Sequence, residues 1–206
     1  MNTPSKIPSS SQNRRESALR RSSGLRAGLF AVLTLGTFLA VRSEAAEPIR
    51  LDMAGEWDAN TGQEFPGAVG DVDTGKQVKI TYDFTKGGVY ISATQPLDTV
   101  TVSSLSSIKV KAKGPGLLGV GITDATGQDF IYHFGMTGAE ERPYTVYTSK
   151  PTDVYGGAGD KVIHYPLKSI RLLAFKTAEV PKGTLLISEL QLVPAPTPAP
   201  TTPATH

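Results

Sequence analysis

Apolar residues recur at every second position through most of the chain, and this alternation limits the possible folds more than any other feature. Val78, Ile80, Tyr82 and Phe84 alternate with Lys79, Thr81 and Asp83, while Ile108, Val110 and Ala112 alternate with Lys109, Lys111 and Lys113. Leu118, Val120 and Ile122 are separated by Gly119 and Gly121. A period of two sends successive side chains to opposite faces of an extended strand, so each such segment has one face to bury. Shorter runs of the same kind occupy residues 49–53, 89–92, 130–134, 144–148, 170–176 and 184–192. Glycine and proline punctuate the gaps, and no eleven-residue stretch has the 3.6-residue period of an amphipathic helix. About nine short strands with turn signals between them predict an all-β sandwich or jelly roll of two antiparallel sheets.

One turn sets a register. In Asp124-Ala125-Thr126-Gly127 the aspartate suits the first position of a type I turn, and the glycine suits the left-handed position that closes it as a bulge. This turn pairs Thr123 with Asp129, Ile122 with Phe130, Val120 with Tyr132 and Leu118 with Phe134. Phe130, Tyr132 and Phe134 then belong to the core. Asp129, Ile131 and His133 share the other face with Gly119 and Gly121, two mid-strand glycines of the kind that mark a close approach to the backbone. A four-residue loop would slip the pairing by one and reverse every side chain.

The two ends differ from this middle. Arg14, Arg15, Arg20, Arg21 and Arg26 precede a fifteen-residue apolar run, residues 27–41 (AGLFAVLTLGTFLAV). A transmembrane helix needs about 20 such residues, whereas a signal peptide needs fewer, and Ser43 and Ala45 are small residues at −3 and −1 of a cut before Ala46. Residues 1–45 read as a signal peptide, and the chain as secreted, periplasmic or held at the cell envelope. Retention of the run as an uncleaved anchor is the competing reading, supported by Arg42. Cleavage would leave 14 of the 21 basic and 17 of the 19 acidic residues, a net charge of −3. A slightly acidic domain without a basic cluster is not built for nucleic acid. Residues 194–206 (PAPTPAPTTPATH) form a Pro/Thr-rich tail whose composition predicts an extended, solvated segment. Cysteine is absent, so residues 46–193 must fold on their apolar core alone, which a domain of this length can do.

The runs TYDFTKGGVYISATQPLD, SSIKVKAKGPGLLGVGITDATGQDFIYHF, VYGGAGDKVIHYPLKSIRLLAFK and KGTLLISELQLV follow one another in an order that resembles the galactose-binding-like β-sandwich carbohydrate-binding modules attached to secreted bacterial glycoside hydrolases. The resemblance spans residues 55–193. It implies a jelly roll, non-catalytic binding of a polysaccharide or oligosaccharide, a glycoside hydrolase partner, and a structural calcium ion. That ion would be held by Glu189 on the last strand with Glu56, Asp52 or Asp58 near the first. Where such modules often carry an Asp-Asp pair this chain has Ser188-Glu189, and where they often carry a loop tryptophan it has Tyr155.

Sugars offer apolar C–H faces ringed by hydroxyls, so their sites pair an exposed aromatic plane with fixed polar groups. Tyr155 is followed by two glycines and shares its loop with Asp153, Asp160 and His164. Tyr90 faces away from the core side of its strand, and His133 and Asp129 lie on the glycine-bearing face. These are candidate ligand-binding residues, together with Trp57, the only tryptophan, for which a core anchor is the equal alternative. The three lysines at 109, 111 and 113 read as protection of an edge strand. With three histidines and no HExxH, GxSxG, P-loop or dinucleotide motif, the chain lacks recognisable catalytic apparatus. Glu140 and Glu141 are adjacent in an expected loop, unlike an opposed glycosidase pair. Two other readings stand beside the sugar-binding module: a structural or protein-interaction sandwich of the envelope, and a small jelly-roll lyase or hydrolase using Tyr132, His133 or Arg171.

Overall fold

A computed structural model of the chain describes residues 46–196; the expected signal peptide and most of the expected tail lie outside the described residues. Ten strands run in the order β1 (Ile49–Arg50), β2 (Asp58–Asn60), β3 (Val69–Asp73), β4 (Val78–Asp83), β5 (Tyr90–Pro96), β6 (Leu105–Thr123), β7 (Gln128–Tyr147), β8 (Asp153–Gly156), β9 (Ser169–Phe175) and β10 (Lys182–Pro194). All pairings are antiparallel, and the described residues contain no helix.

The long β6–β7 hairpin joins the two layers of a jelly-roll sandwich. Residues 105–113 of β6 pair with β10, which continues to β4 and β3, whereas residues 117–123 pair with β9, which continues to β5 and β2. The strand passes from one layer to the other through Gly114-Pro115-Gly116. There Gly114 and Gly116 adopt φ of 126° and 103°, a region open to glycine, and the ladder to β7 shifts register beside Gly114. Two segments expected as separate strands are therefore one strand with a glycine-hinged bend, and β7 follows it along its length.

One apolar core lies between the layers. Val78, Ile80 and Tyr82 of β4 and Phe84 just after it meet Ile91 and Ala93 of β5, Leu172 of β9, and Leu185 and Ile187 of β10, all at 2% exposure or less. Burying each large side chain contributes about 1.5–3 kcal/mol. The Tyr82 hydroxyl donates to the Pro115 carbonyl at 2.8 Å, so the ring that fills the core also ties down the bend.

The expected hairpin register is present. Thr123 pairs with Asp129, Ile122 with Phe130, Val120 with Tyr132 and Leu118 with Phe134. Gly127 has φ 87°, its N–H donates to the Asp124 carbonyl, and the Asp124 N–H donates to that of Gln128, each at 3.0 Å. Phe130 and Tyr132 are buried, and Phe134 is half-buried, stacked on Tyr144 with ring centroids 4.9 Å apart.

Two expectations need correction. The strand bearing Lys109, Lys111 and Lys113 is an interior strand with β10 on one side and β7 on the other, so these lysines guard no edge. Glu140 and Glu141 lie within β7 rather than in a loop, and Glu141 pairs with Lys111 at 2.9 Å.

Candidate functional site

The layer built from β5, β9, the second half of β6, the first half of β7, and β8 has a second face, turned away from the core. Ile131 and Leu173 lie on it and are each 2% exposed, yet neither belongs to the central core. With Phe175 they form the floor of an open groove of about 660 Å³. Tyr90 of β5 and Glu64 and Phe65, from the segment between β2 and β3, form one wall; Asp153 and Tyr155 of β8 form the other. His133 of β7 and Arg171 of β9 complete the lining.

The strand ladder explains why these side chains converge. Tyr90 sits directly opposite Phe175, Gly119 opposite both His133 and Leu173, and Gly121 opposite both Ile131 and Arg171. The rings meet at steep angles. Phe65 and Tyr90 are 6.3 Å apart at 70°, Tyr90 and Phe175 6.3 Å at 61°, and His133 and Phe175 4.5 Å at 58°. These edge-on arrangements suit the aromatic quadrupole and present a folded apolar surface rather than a flat one.

Polar groups are placed on this surface. The Tyr90 hydroxyl donates to the Glu64 carboxylate, which latches the β2–β3 segment against the groove. Burial first, then this bond to an anion, pushes the Tyr90 phenol up to about 12, while the same bond holds Glu64 below its ordinary value. Tyr155 is 51% exposed. Its phenol is also raised, by burial of its inner part and then by the Asp129 charge, against the opposing pull of Arg171. Arg171 Nη2 lies 3.7 Å from Asp129 Oδ2. Among the described residues His133 Nε2 has no hydrogen-bond partner, and it stands 3.7 Å from Asp153 Oδ2.

Of the expected ligand-binding residues, Tyr155, Asp153, His133 and Tyr90 line the groove, and Asp129 adjoins it through Arg171. Asp160 and His164 do not line it. They pair with each other at 2.8 Å and brace the loop after β8, where Asp160 also accepts from the Val162 N–H and from Gln128. The organiser of that loop is Asp124, whose buried carboxylate accepts from the Thr126 and Gln128 N–H groups and, with its other oxygen, from the His164 N–H. Trp57 is also outside the groove. It packs half-buried against the core, and its Nε1 donates to the Asp52 carbonyl at 3.3 Å. Gly119 and Gly121 were expected to admit a ligand to the backbone, but their space is filled by the Phe175 ring and the Ile131 side chain. Tyr132, considered for a lyase, is buried and donates to the Thr148 carbonyl.

The groove also contains residues that pattern-reading missed: Glu64, Phe65, Phe175 and, as a binding residue, Arg171. Residues 170–176 were expected to alternate, but Ile170-Arg171-Leu172-Leu173-Ala174-Phe175 is apolar at nearly every position and Leu172 and Leu173 are both buried, so alternation does not separate its faces. An arginine inside such a run was the available signal.

Calcium requires six to eight oxygen ligands, and the residues expected to hold it do not fit. Glu189 pairs with Arg50 at 3.4 Å, accepts from the Gln191 amide and borders Lys109 and Lys111. Glu56 lines a separate depression with Gln95 and Asp98. Among the described residues no three His, Cys, Asp or Glu side chains converge as a metal site.

The fold is shared with solved carbohydrate-binding modules. The family 11 module from Clostridium thermocellum, in complex with a β-1,3-1,4-mixed-linked tetrasaccharide, is 15% identical, covers 72% of this chain and 96% of its own, and superposes with a TM-score of 0.53. The family 11 module of a cellulosomal cellulase of the same organism is 14% identical over 73% of this chain and 96% of its own, with a TM-score of 0.54. A quarter of an agarase is similar as well: 13% identity, 76% of this chain, 26% of the agarase, TM-score 0.51. No family model and no curated protein matches the sequence.

Proposed function

We propose that this chain is an exported, non-catalytic module that binds a segment of a polysaccharide or oligosaccharide chain in the groove, acting beside a glycoside hydrolase. The observation that carries this reading is the convergence of tilted aromatic rings with Glu64, Arg171, Asp153 and His133 in one open groove on the outer face of a rigid sheet. Its volume of about 660 Å³ is within the range of about 300–1,000 Å³ typical of ligand sites. The steep ring angles suit a glycan chain entering a groove, with apolar sugar faces against Phe175 and Tyr155 and hydroxyls toward the polar groups. The fold shared with a module solved with a mixed-linked tetrasaccharide supports the same reading, as does its occurrence within an agarase. The nearest carboxylates in the groove belong to binding positions: Glu64 is engaged with Tyr90, and Asp153 stands beside His133.

Affinity electrophoresis of the purified chain in gels containing mixed-linkage β-glucan, xyloglucan or low-gelling agarose tests the reading. At least one polymer should retard the protein, and Tyr155→Ala should remove most of the retardation with little change in thermal midpoint, because the ring is half-exposed. A chain retarded by none of a broad panel would instead be a structural or protein-interaction sandwich.

A further inference from the structure

The charges around Arg171 bear on which glycans the groove accepts. Among the described residues Arg171 is the only lysine or arginine that lines it, and two carboxylates, Glu64 and Asp153, line it as well. An arginine among aromatic rings is ordinarily a strong anion receptor, since its planar donor fork matches carboxylate and sulfate oxygens. Here that charge is already taken. Arg171 Nη2 lies 3.7 Å from Asp129 Oδ2, with the two side chains only 23% and 16% exposed.

Asp129 is fixed in that position by three neighbouring strands. Its Oδ1 accepts from the Thr123 hydroxyl at 2.5 Å, and the Thr123 oxygen accepts from the Ser169 hydroxyl at 3.0 Å. Thr123 is paired in register with Asp129 on one side and with Ser169 on the other, so the relay follows directly from the ladder. Arg171 lies two residues beyond Ser169, on the same face of β9, and must cross β6 to reach Asp129 on β7. The residue of β6 paired with Arg171 is Gly121, which has no side chain to obstruct the crossing.

We propose that Asp129 is a positioning residue that neutralises Arg171 and thereby makes the groove selective for uncharged glycans over acidic ones; this rests on the sugar-binding reading. With its charge compensated, the guanidinium keeps N–H groups for neutral hydroxyls, while Glu64 and Asp153 repel uronate or sulfate groups.

The test compares retention in native gels at pH 8 containing mixed-linkage β-glucan, xyloglucan or low-gelling agarose with retention in the same polymers after oxidation of their primary hydroxyls to carboxylates. The wild-type chain should bind the neutral form roughly tenfold more tightly, the size of a partly screened repulsion across several ångströms. About 0.5 M NaCl should largely abolish that preference by screening. The isosteric Asp129→Asn should shrink the neutral-to-oxidised ratio at least severalfold while its neutral binding changes less than its oxidised binding. A purely structural role for Asp129 would weaken both together. Equal binding of both forms by the wild type, a preference that survives high salt, or an unchanged ratio in Asp129→Asn would overturn the proposal and leave sugar binding intact. The salt measurement needs only the wild type, so it can overturn the proposal even if the variant fails to fold. Retention by neither form of any polymer would overturn the sugar reading itself.

Discussion

The ring of Phe175 fills the place where a side chain on Gly119 would stand: a Cβ at position 119 would fall 2.5 Å from Phe175 Cε2. The glycine thus shapes the groove floor indirectly, by letting a neighbouring strand lay an aromatic ring across β6. Gly119→Ala should push that ring outward and cost about 1–3 kcal/mol, as overpacking typically does. Gly121→Ala should cost less, because it meets the flexible end of Ile131. Gly135→Ala, whose added Cβ would meet no atom of the described residues within 4 Å, serves as the control. Urea melts check the ranking, and glycan retention should fall most for Gly119→Ala.

Trp57 should report folding but not binding. It packs against the core and does not line the groove, so its fluorescence should change on denaturation and stay nearly constant on titration with a retained oligosaccharide. Trp57→Phe should lower stability by roughly 1–3 kcal/mol and leave retention unchanged. Strong quenching by ligand would place a binding surface at Trp57.

The Tyr90–Glu64 latch should be visible in a spectrophotometric titration. One phenol should ionise near pH 12, well above the ordinary 10.0, chiefly because of burial and secondarily because of its bond to Glu64. Glu64→Gln should bring that titration down partway, since the burial remains. A phenol held above its unfolded value supports the fold fully below pH 10 and loses that contribution as pH rises through about 12. The thermal midpoint should therefore decline over that interval, less so in Glu64→Gln.

Acid should loosen the other side of the groove through Asp124 and Asp160. Burial pushes the Asp124 carboxyl upward, but its hydrogen bonds from Thr126, His164 and Gln128 outweigh this and hold it below 3.8. The Val162 N–H and then His164 hold Asp160 at about 2. A carboxyl depressed in the folded state stabilises above its unfolded value and loses that contribution as pH falls through its folded value. The thermal midpoint should fall from about pH 4 toward pH 2, and Asp124→Asn should flatten that fall. At pH 7 the same substitution should cost about 1–3 kcal/mol, as expected when buried hydrogen bonds lose their acceptor.

Local chemistry alone determined the main core-facing strands and the register of the central hairpin, but not β2, β3 or β8, whose residues 153–156 read as a loop. Alternation of Val78, Ile80, Tyr82 and Phe84 assigns a buried face without reference to any other strand. Asp124 and Gly127 set the pairing of Thr123 with Asp129 because the bonds that close the turn, Gly127 N–H to Asp124 and Asp124 N–H to Gln128, are local. The candidates that follow directly from that register, His133 and Asp129, lie at the groove or against it. Where a judgement required knowing which strand lies beside which, sequence was insufficient. Lys109 and Lys111 looked like edge residues, but β10, nearly eighty positions later, covers that side. Glu189 looked like a metal ligand until Arg50, brought beside it by the pairing of β1 with β10, neutralised it. The groove itself draws on residues 64–65, 89–90, 131 and 133, 153–155, and 171, 173 and 175, from segments that meet only after β6 has bent at Gly114 and exchanged β10 for β9. Alternation states that a strand has two faces; which outward faces become neighbours is decided by the long-range pairing of the sheet.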